Sequence, residues 1–288
     1  MRRSVFIGCG VAALAFFQSA AHENDPVQEI AFLEHRYGGR LGVSAIEAGS
    51  SNRILHRAHE RFAMCSTFKF LAAAAVLSRV DEHRDTLRRR VPYAGRDLLD
   101  YSPVTRANVN QGSMALADLC AAAVEDSDNA AGNLLLASIG GPAGLTRYVR
   151  SLGDRVTRLD RIEPDLNTAK PGDVRDTTSP AAMTALMDTI LVGNVLAPSS
   201  RDLLEHWMRA SSTGAKRLRA SIPGTWPAGD KTGSGGNGTC NDIAIVRPPD
   251  RPPLLAAVFY TQSSSAFDAR ERVVADVGRI IVRSLQGA

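Results

Sequence analysis

Residues 66–77, with the sequence Ser-Thr-Phe-Lys-Phe-Leu-Ala-Ala-Ala-Ala-Val-Leu, decide the fold of this chain. Beyond its first two residues and Lys69, the stretch is an apolar run rich in good helix formers, with apolar side chains on nearly every side of the helix. A helix of this kind is buried all round and does not lie on the surface. The sequence therefore predicts a central helix whose lysine must find a partner, because an unpaired buried charge is costly.

Ser66 and Lys69 lie three residues apart, so on a helix they share one face. A serine hydroxyl is a weak nucleophile until a neighbouring group takes its proton, and a partly desolvated lysine can be neutral enough to help. At the first helical turn Ser66 would also lie among free backbone N–H groups and a favourable dipole. The alternative is a capping serine beside a solvated lysine, since Ser-x-x-Lys also occurs by chance. The apolar surroundings of Lys69 favour the catalytic interpretation.

The triplet Ser127-Asp128-Asn129 has two interpretations. Serine and aspartate are common helix N-caps, and Asn129 could simply begin the next helix. In the catalytic interpretation the Ser127 hydroxyl faces Ser66 and passes a proton to a leaving nitrogen, while the Asn129 amide binds a substrate amide. The triplet by itself does not decide between them.

Residues 158–178 have no apolar period and contain two prolines and a glycine, which predicts a long irregular loop. Within it, Glu163 and Asn167 could hold one water between a carboxylate and an amide, and the carboxylate could take its proton. The alternative for Glu163 is an ordinary surface glutamate, which the other three motifs make the weaker interpretation. Arg161 and Asp176 lie near the two ends of the loop, and an ion pair between them would close its neck.

Lys231-Thr232-Gly233-Ser234 predicts a strand in which alternate side chains point to opposite faces. The missing side chain of Gly233 lets a substrate lie against the backbone. The N–H of Ser234 could pair with that of Ser66 as an oxyanion hole, in which the loss of one donor costs about 3 kcal/mol. The alternative is an edge strand that leads into a glycine-rich turn. The glycines that follow are not accompanied by the residues of a phosphate or dinucleotide loop.

The remaining pattern predicts strands at both ends of the chain. Residues 29–37 predict a helix and residues 41–57 a hairpin, while residues 230–261 predict three strands and residues 268–285 a closing helix. Five further helices are predicted in the middle of the chain, over residues 116–124, 129–138, 143–152, 180–192 and 200–210. The sheet must therefore take strands from both chain ends.

We expect an α/β fold with two lobes. One is an α+β lobe with an antiparallel sheet flanked by helices, formed by residues 22–60 and 211–288. The other is an all-helical lobe, formed by residues 61–210, that carries Ser66, Ser127 and the 158–178 loop.

The composition is that of a globular protein, with 288 residues of which 44% are hydrophobic and 22% charged. The net charge of +4 is spread over single arginines, with one short run at Arg88-Arg89-Arg90, so we expect no nucleic-acid partner. The sequence contains no Cys-x-x-Cys motif and no cysteine–histidine spacing typical of zinc. We therefore expect neither a metal nor another cofactor.

The first 21 residues have the order of a secretory signal peptide. Arg2-Arg3 precede an apolar run over residues 5–17, which is too short to span a membrane, and small residues follow. Cleavage after Ala21, by the Sec or the twin-arginine route, would leave a soluble periplasmic protein that begins at His22 and has no stable membrane association.

Taken together, the motifs resemble those of class A serine β-lactamases, which share Ser-x-x-Lys, Ser-Asp-Asn and Lys-Thr-Gly. The resemblance covers residues 22–288 and implies the serine β-lactamase/penicillin-binding-protein transpeptidase-like fold. It implies that Ser66 attacks the β-lactam carbonyl and that Glu163 with Asn167 delivers water to the acyl-enzyme. Whether Lys69 or Glu163 takes the first proton stays open.

The same resemblance assigns the remaining site residues. It implies that Ser127 protonates the ring nitrogen with support from Lys231. Some relatives carry a carboxylate-binding arginine on the strand after the glycine turn, but Cys240 occupies that position here, so Arg217 is expected to supply the charge. The substrate-binding set comprises Tyr101, Asn129, Asn167, Thr232, Gly233, Ser234 and Arg217.

Three cysteines remain if Cys9 is lost with the signal. Cys65 resembles a disulfide-linked cysteine of carbapenem-hydrolysing relatives, whose partner position here is a glycine, and a Cys65–Cys240 bond is therefore a hypothesis. Ser234 and residues 235–239 resemble the cefotaxime-hydrolysing branch. We expect a monomeric enzyme that hydrolyses penicillins and cephalosporins, including extended-spectrum compounds.

Two other functions share most of these motifs. A penicillin-binding D,D-peptidase has the serine and both lysines but lacks the deacylating pair. A β-lactam sensor domain is acylated and does not turn over. The presence of both Glu163 and Asn167 favours the β-lactamase.

Overall fold

A computed structural model describes residues 25–286 of the chain. These residues form nine α-helices, nine strands and several short turns of 3₁₀ or π helix. The helices are α1 (Pro26–Tyr37), α2 (Phe68–Asp81), α3 (Pro103–Ala107), α4 (Leu116–Glu125), α5 (Asn129–Ser138), α6 (Gly141–Ser151), α7 (Pro180–Met187), α8 (Pro198–Arg209) and α9 (Phe267–Gln286). The strands are β1 (Arg40–Glu47), β2 (Arg53–His56), β3 (Phe62–Ala63), β4 (Arg90–Pro92), β5 (Ser113–Ala115), β6 (Thr177–Thr178), β7 (Ala228–Gly235), β8 (Thr239–Val246) and β9 (Leu254–Thr261).

Five strands form one antiparallel sheet in the order β2-β1-β9-β8-β7. The predicted hairpin, β1 and β2, pairs with β9 from the far end of the chain, and the pairing runs from Arg40 opposite Thr261 to Glu47 opposite Leu254. Strand β7, which carries Lys231, lies at one edge. The sheet thus takes strands from both chain ends, and the predicted α/β class with a helix-flanked antiparallel sheet is confirmed.

Each face of the sheet has its own apolar core. On one face, Val43 packs in a cluster with Ile30 of α1 and Val277 of α9. On the other face, Ile243 and Phe259 belong to a larger cluster that includes the buried sides of α2 and of α4 to α8. Because both faces are covered, β8 and β9 are buried at every position and read as continuous apolar runs.

Helix α2 is the central helix predicted from residues 66–77. Every side chain from Phe68 to Leu77 is buried, including that of Lys69. A 3₁₀ turn at Cys65–Thr67 leads directly into α2 and contacts both β7 and β8. The buried helix therefore delivers its first turn to the edge strand of the sheet.

Five short elements were not predicted: α3, β3, β4, β5 and β6. Helix α3 has only five residues, and the Asp128 carboxylate accepts hydrogen bonds from the N–H groups of Val104 (3.0 Å) and Thr105 (2.9 Å) in it. Such elements depend on distant partners and leave little local pattern. The helix expected after Pro180 also ends early, at Met187, and continues as a π-helical turn over Asp188–Val192.

No helix within residues 25–286 is long and apolar enough to cross a bilayer. The predicted signal peptide over residues 1–21, with Cys9, lies outside the described residues. The division into lobes at residues 60/61 and 210/211 stays a prediction.

Packing in β1 gives a first testable prediction. A Cβ atom added at Gly42 would lie 2.4 Å from Cε2 of Phe62 and 2.9 Å from Cγ of Pro180. We expect Gly42→Ala to lower the free energy of unfolding by about 2 kcal/mol, because the ring and the strand must move apart. Urea unfolding followed by circular dichroism measures the change. Gly95→Ala is the matched control, since no atom lies within 4 Å of a Cβ there, and equal stabilities of the two variants would contradict the packing.

Candidate active site

Ser66 lies in the 3₁₀ turn before α2 and is buried, with 8% of its surface exposed. Its Oγ accepts a hydrogen bond from Lys69 Nζ (3.0 Å) and donates one to Glu163 Oε1 (3.2 Å). Cys65, directly before it, has a φ of +47°, a conformation that a non-glycine residue adopts only when its surroundings enforce it. The nucleophile predicted from the sequence is thus held between a lysine and a carboxylate.

Lys69 is fully buried and fully paired. Besides Ser66 Oγ, its Nζ donates hydrogen bonds to Ser127 O (2.7 Å) and Asn129 Oδ1 (2.6 Å), and it lies 3.1 Å from Glu163 Oε1. The alternative of a solvated lysine is therefore wrong. Burial lowers the pKa of Lys69 below its ordinary value, whereas the charge of Glu163 acts in the opposite direction.

Both interpretations of the Ser127-Asp128-Asn129 triplet apply, because one residue caps a helix while the other two belong to the site. Asp128 caps α5, because its Oδ1 accepts a hydrogen bond from the N–H of Ala131 (2.9 Å). Ser127 has a φ of +57°, and its Oγ accepts a hydrogen bond from Lys231 Nζ (2.9 Å). The Oδ1 of Asn129 is occupied by Lys69, which leaves its amide nitrogen as the donor for a ligand.

Glu163 lies in the predicted loop but is only 2% exposed, so it is not an ordinary surface glutamate. Its Oε2 accepts a hydrogen bond from Asn167 Nδ2, and the peptide bond to Pro164 is cis. Asn133 on α5 was not predicted to belong to the site. Its Oδ1 accepts from the N–H of Glu163 (2.9 Å) and its Nδ2 donates to the carbonyl of Glu163 (3.0 Å). The only indication in the sequence that Asn133 belongs to the site is that it is an asparagine in the middle of an apolar helix.

The neck of the loop is closed as predicted. Arg161 Nε lies 2.5 Å from Asp176 Oδ2, and this aspartate is fully buried. Asp176 Oδ1 also accepts hydrogen bonds from the N–H groups of Asp160 (2.8 Å) and Arg161 (2.9 Å). The predicted Arg161–Asp176 ion pair is confirmed, and backbone hydrogen bonds to the same carboxylate reinforce it.

Strand β7 brings Lys231 to the hydroxyl of Ser127, whose carbonyl oxygen accepts a hydrogen bond from Lys69. The Nζ of Lys231 donates to Ser127 Oγ and to Thr232 O (2.9 Å). Burial, and after it the charge of Lys69, lower the pKa of Lys231 to about 7. Thr232 Oγ1 lies 2.6 Å from the hydroxyl of Thr213, a residue that no sequence motif pointed to.

The prediction that the missing side chain of Gly233 makes room for a substrate against the backbone was wrong. A Cβ atom added there would lie 2.7 Å from Met64 O, 3.1 Å from Thr67 Cγ2 and 3.3 Å from Cys65 Cβ. The side-chain position of Gly233 therefore faces the turn that carries the nucleophile and not an open cleft. The glycine allows β7 to approach this turn closely.

Arg217 lies against the same strand. Its Nη1 donates to the carbonyls of Gly233 (3.1 Å) and Asn241 (2.7 Å), and its Nη2 donates to Ser234 Oγ (2.8 Å). Glu271 Oε1 lies 3.2 Å from its Nε. The structure thus brings the expected arginine to β7, where it is almost fully buried behind Ser234.

Tyr101 and Asn129 lie at the same side of the site. The carbonyl of Tyr101 accepts the N–H of Asn129 (2.9 Å), and half of the Tyr101 surface is exposed. The Tyr101 ring is therefore free to contact a molecule that enters the site.

Cys65, Cys120 and Cys240 are free and buried thiols, so the hypothesis of a Cys65–Cys240 disulfide is wrong. Cys240 packs in the core on the α1/α9 face of the sheet, whereas Cys65 lies in the turn beside β7, next to Gly235. Burial raises the pKa of both thiols, that of Cys240 to about 11. Among residues 25–286, no group of three or more histidine, cysteine or acidic side chains could hold a metal ion.

Ser66 is hydrogen-bonded to a buried lysine and to the carboxylate of a carboxylate–amide pair. Together these groups form the active site of a serine acyl-transfer hydrolase. Residues 25–285 match the family model described as "Beta-lactamase enzyme family". The chain belongs to this family, and within it is a class A serine β-lactamase.

Relatives and solved structures agree with this assignment. "Beta-lactamase CTX-M-25" of Escherichia coli is 44% identical over 98% of this chain and 97% of its own length. "Imipenem-hydrolyzing beta-lactamase" of Enterobacter cloacae is 42% identical over 98% and 96%. The structure "Ancestral (GNCA) Beta-lactamase class A" is 54% identical with a TM-score of 0.88 and covers 90% of this chain and 99% of its own. The predicted serine β-lactamase fold is confirmed.

The low pKa of Lys231 gives a second prediction. The chain contains four lysines, so selective ¹³C-lysine labelling resolves each of them, and Lys231→Arg identifies the signal of Lys231. We expect this signal to titrate with a midpoint near 7, because burial and the neighbouring Lys69 disfavour the charged form. The exposed side chains of Lys170 and Lys216 provide reference signals. A midpoint at the ordinary lysine value, about 10.4, would contradict the arrangement.

The lowered pKa of Lys231 also determines whether its contribution to the free energy of unfolding rises or falls with pH. Between pH about 7 and about 10.4 the unfolded lysine holds a proton that the folded one lacks. The contribution of Lys231 to the free energy of unfolding therefore rises with pH across this window. Below about pH 7 both states are protonated, and the full cost of the buried charge applies.

Proposed function

We propose that the protein hydrolyses penicillins and cephalosporins through an acyl-enzyme on Ser66 and a water activated by Glu163. One observation carries the proposal: a single buried carboxylate is hydrogen-bonded both to the nucleophile and to the Asn167 amide. This arrangement places one carboxylate beside the nucleophile and beside the amide that would hold the hydrolytic water. Hydrolysis of β-lactams would give the host bacterium antibiotic resistance.

In acylation, Ser66 Oγ forms a bond to the β-lactam carbonyl carbon as the ring C–N bond breaks. Lys69 Nζ and Glu163 Oε1 lie 3.0 and 3.2 Å from this oxygen, so each is within reach of its proton. The ring nitrogen receives a proton from Ser127 Oγ, and Lys231, 2.9 Å away, replaces it. Burial lowers the pKa of both lysines, and that of Lys231, about 7, suits a group that exchanges protons near neutral pH.

In deacylation, a water held by Glu163 and Asn167 attacks the ester carbonyl. As the water oxygen bonds to the carbonyl carbon, Glu163 takes one proton of the water and returns it to Ser66 Oγ when the ester C–O bond breaks. The proton that Ser66 lost in acylation replaces the one that Lys231 gave up. Among the described residues Asn167 Oδ1 is buried without a hydrogen-bond partner, which supports a role in accepting a hydrogen bond from that water. These steps require no metal and no cofactor.

The remaining predicted residues would hold the substrate. Thr232, Ser234 and Lys231 present hydroxyl and ammonium groups to its carboxylate, and Arg217 adds positive charge behind Ser234. Asn129 donates its amide, Tyr101 covers the exposed side of the site, and Gly233 lets β7 lie close to the nucleophile. The backbone N–H groups of Ser66 and Ser234 would form the oxyanion hole.

We further propose an extended spectrum that includes oxyimino-cephalosporins. The full-length similarity to CTX-M-25 and to "Beta-lactamase Toho-1" of Escherichia coli (43% identity over 98% of this chain) supports it, as do Ser234 and residues 235–239. A periplasmic location after removal of residues 1–21, a monomeric state, and the absence of nucleic-acid and stable membrane binding stay predictions.

The deacylation step gives a third prediction. After mixing with benzylpenicillin, wild type should return to its free mass quickly, whereas Glu163→Ala should accumulate the acyl adduct, because the water has lost its base. Intact-protein mass spectrometry at short times measures both. Asp165→Ala removes an exposed carboxylate from the same loop and is the matched control, expected to turn over like wild type. A long-lived adduct on wild type would instead identify a sensor domain.

The spectrum is tested separately. Initial rates with cefotaxime and with benzylpenicillin give kcat/KM for each substrate. We expect cefotaxime turnover to be comparable with that of benzylpenicillin, within about tenfold, which is a difference of about 1.4 kcal/mol in transition-state binding. Negligible cefotaxime turnover beside rapid penicillin turnover would overturn the extended-spectrum proposal and leave the β-lactamase assignment intact.

A further inference from the structure

The turn that joins β7 to β8, residues 236–238, is hydrogen-bonded to the 158–178 loop. The N–H of Gly236 donates to the carbonyl of Asn167 (2.8 Å), and Asn237 Nδ2 donates to the carbonyl of Thr168 (3.0 Å). Of the hydrogen bonds between residues 25–286, these two alone join residues 164–170 to a part of the chain outside the 158–178 loop. The loop segment behind Glu163 is therefore tied to the sheet at one place.

The turn is a fixed anchor for that segment. The carbonyl of Asn237 accepts the N–H of Gln262 (2.6 Å), just beyond β9, so the turn is held from the sheet side as well. A Cβ added at Gly235 would lie 2.5 Å from Asn167 O, and one added at Gly236 would lie 2.7 Å from Thr168 O. The loop backbone thus rests directly on the turn.

The conformation of Asn237 explains why an asparagine suits this position. Its φ is +51°, in the left-handed region that glycine and asparagine tolerate best. A glycine would keep the turn but would provide no donor for Thr168. The amide is consequently the one feature that asparagine adds here.

We propose that Asn237 is a positioning residue for deacylation: by holding Thr168 it fixes Asn167, whose amide binds Glu163. The inference rests on the proposed role of Glu163 and Asn167 in hydrolysis. Acylation does not require Asn167, because Ser66, Lys69 and Glu163 contact one another directly. Loss of the Asn237 amide should therefore slow the second step and leave the first unchanged.

Asn237→Gly tests this, since it removes the donor and keeps the left-handed backbone. In single-turnover mass spectrometry with benzylpenicillin we expect an unchanged rate of adduct formation and a decay about fivefold slower, the factor that corresponds to one neutral hydrogen bond. Asn237→Asp, which is of the same size but cannot donate, should slow the decay at least as much. Asp250→Gly, at an exposed position with a φ of +57° in the β8–β9 connection, is the matched control and should decay like wild type.

The possible outcomes distinguish failure of the positioning role of Asn237 from failure of the proposed function. Unchanged decay in Asn237→Gly and Asn237→Asp, beside an accumulating Glu163→Ala adduct, overturns the positioning role alone. Equal losses in formation and decay, accompanied by a lower Tm, also overturn it, because they indicate general destabilisation. If Glu163→Ala forms the adduct and releases it as fast as wild type, the proposed role of Glu163 in hydrolysis fails and this inference fails with it.

Discussion

The structure depends on the burial of one ammonium group inside an apolar helix. Lys69 stands in a run of residues whose side chains are all inaccessible to solvent, and an isolated charge there would cost several kcal/mol. Its Nζ is instead surrounded by Ser66 Oγ, Ser127 O, Asn129 Oδ1 and Glu163 Oε1, all within 3.1 Å. Three segments that are distant in sequence are brought together by this single requirement.

Meeting that requirement leaves strain next to the reacting groups. Cys65 and Ser127 both adopt left-handed backbone conformations, which cost a non-glycine residue of order 1–3 kcal/mol each. Packing elsewhere compensates: Asp128 joins the Ser127 segment to α3 and caps α5 with the same carboxylate. The close approach of β7 at Gly233 holds the turn that contains Cys65. Rigid surroundings thus keep the nucleophile and its partners in a conformation that the isolated chain would not favour.

The sequence was sufficient for features that follow from local chemistry. The apolar run around Lys69 predicted both the buried helix and the need for a partner, and the irregular composition of residues 158–178 predicted the loop and its Arg161–Asp176 closure. The terminal strands predicted a sheet built from both chain ends.

Features that depend on a distant partner could not be predicted in the same way. Nothing in the sequence distinguishes Asn133 from any other helical asparagine, because its role depends on contact with the backbone of Glu163. Helix α3 likewise depends on a carboxylate far along the chain, which accepts hydrogen bonds from its N–H groups. Gly233 was assigned to the substrate although the turn before α2 fills its side-chain position. The disulfide hypothesis also failed, since Cys65 lies in the turn before α2 whereas Cys240, on β8, packs in the core with α1 and α9.

The two buried lysines are best understood through Ser127, which binds one with its carbonyl and the other with its hydroxyl. Its backbone is in the left-handed region, with a φ of +57°. Because the charge of Lys69 is the second cause of the low pKa of Lys231, a proton on one lysine makes a proton on the other less favourable. In the proposed reaction Lys231 gives a proton to the leaving nitrogen through Ser127. Electrostatic repulsion from a protonated Lys69 favours this release, so the burial that organises the site also couples the protonation states of its two lysines.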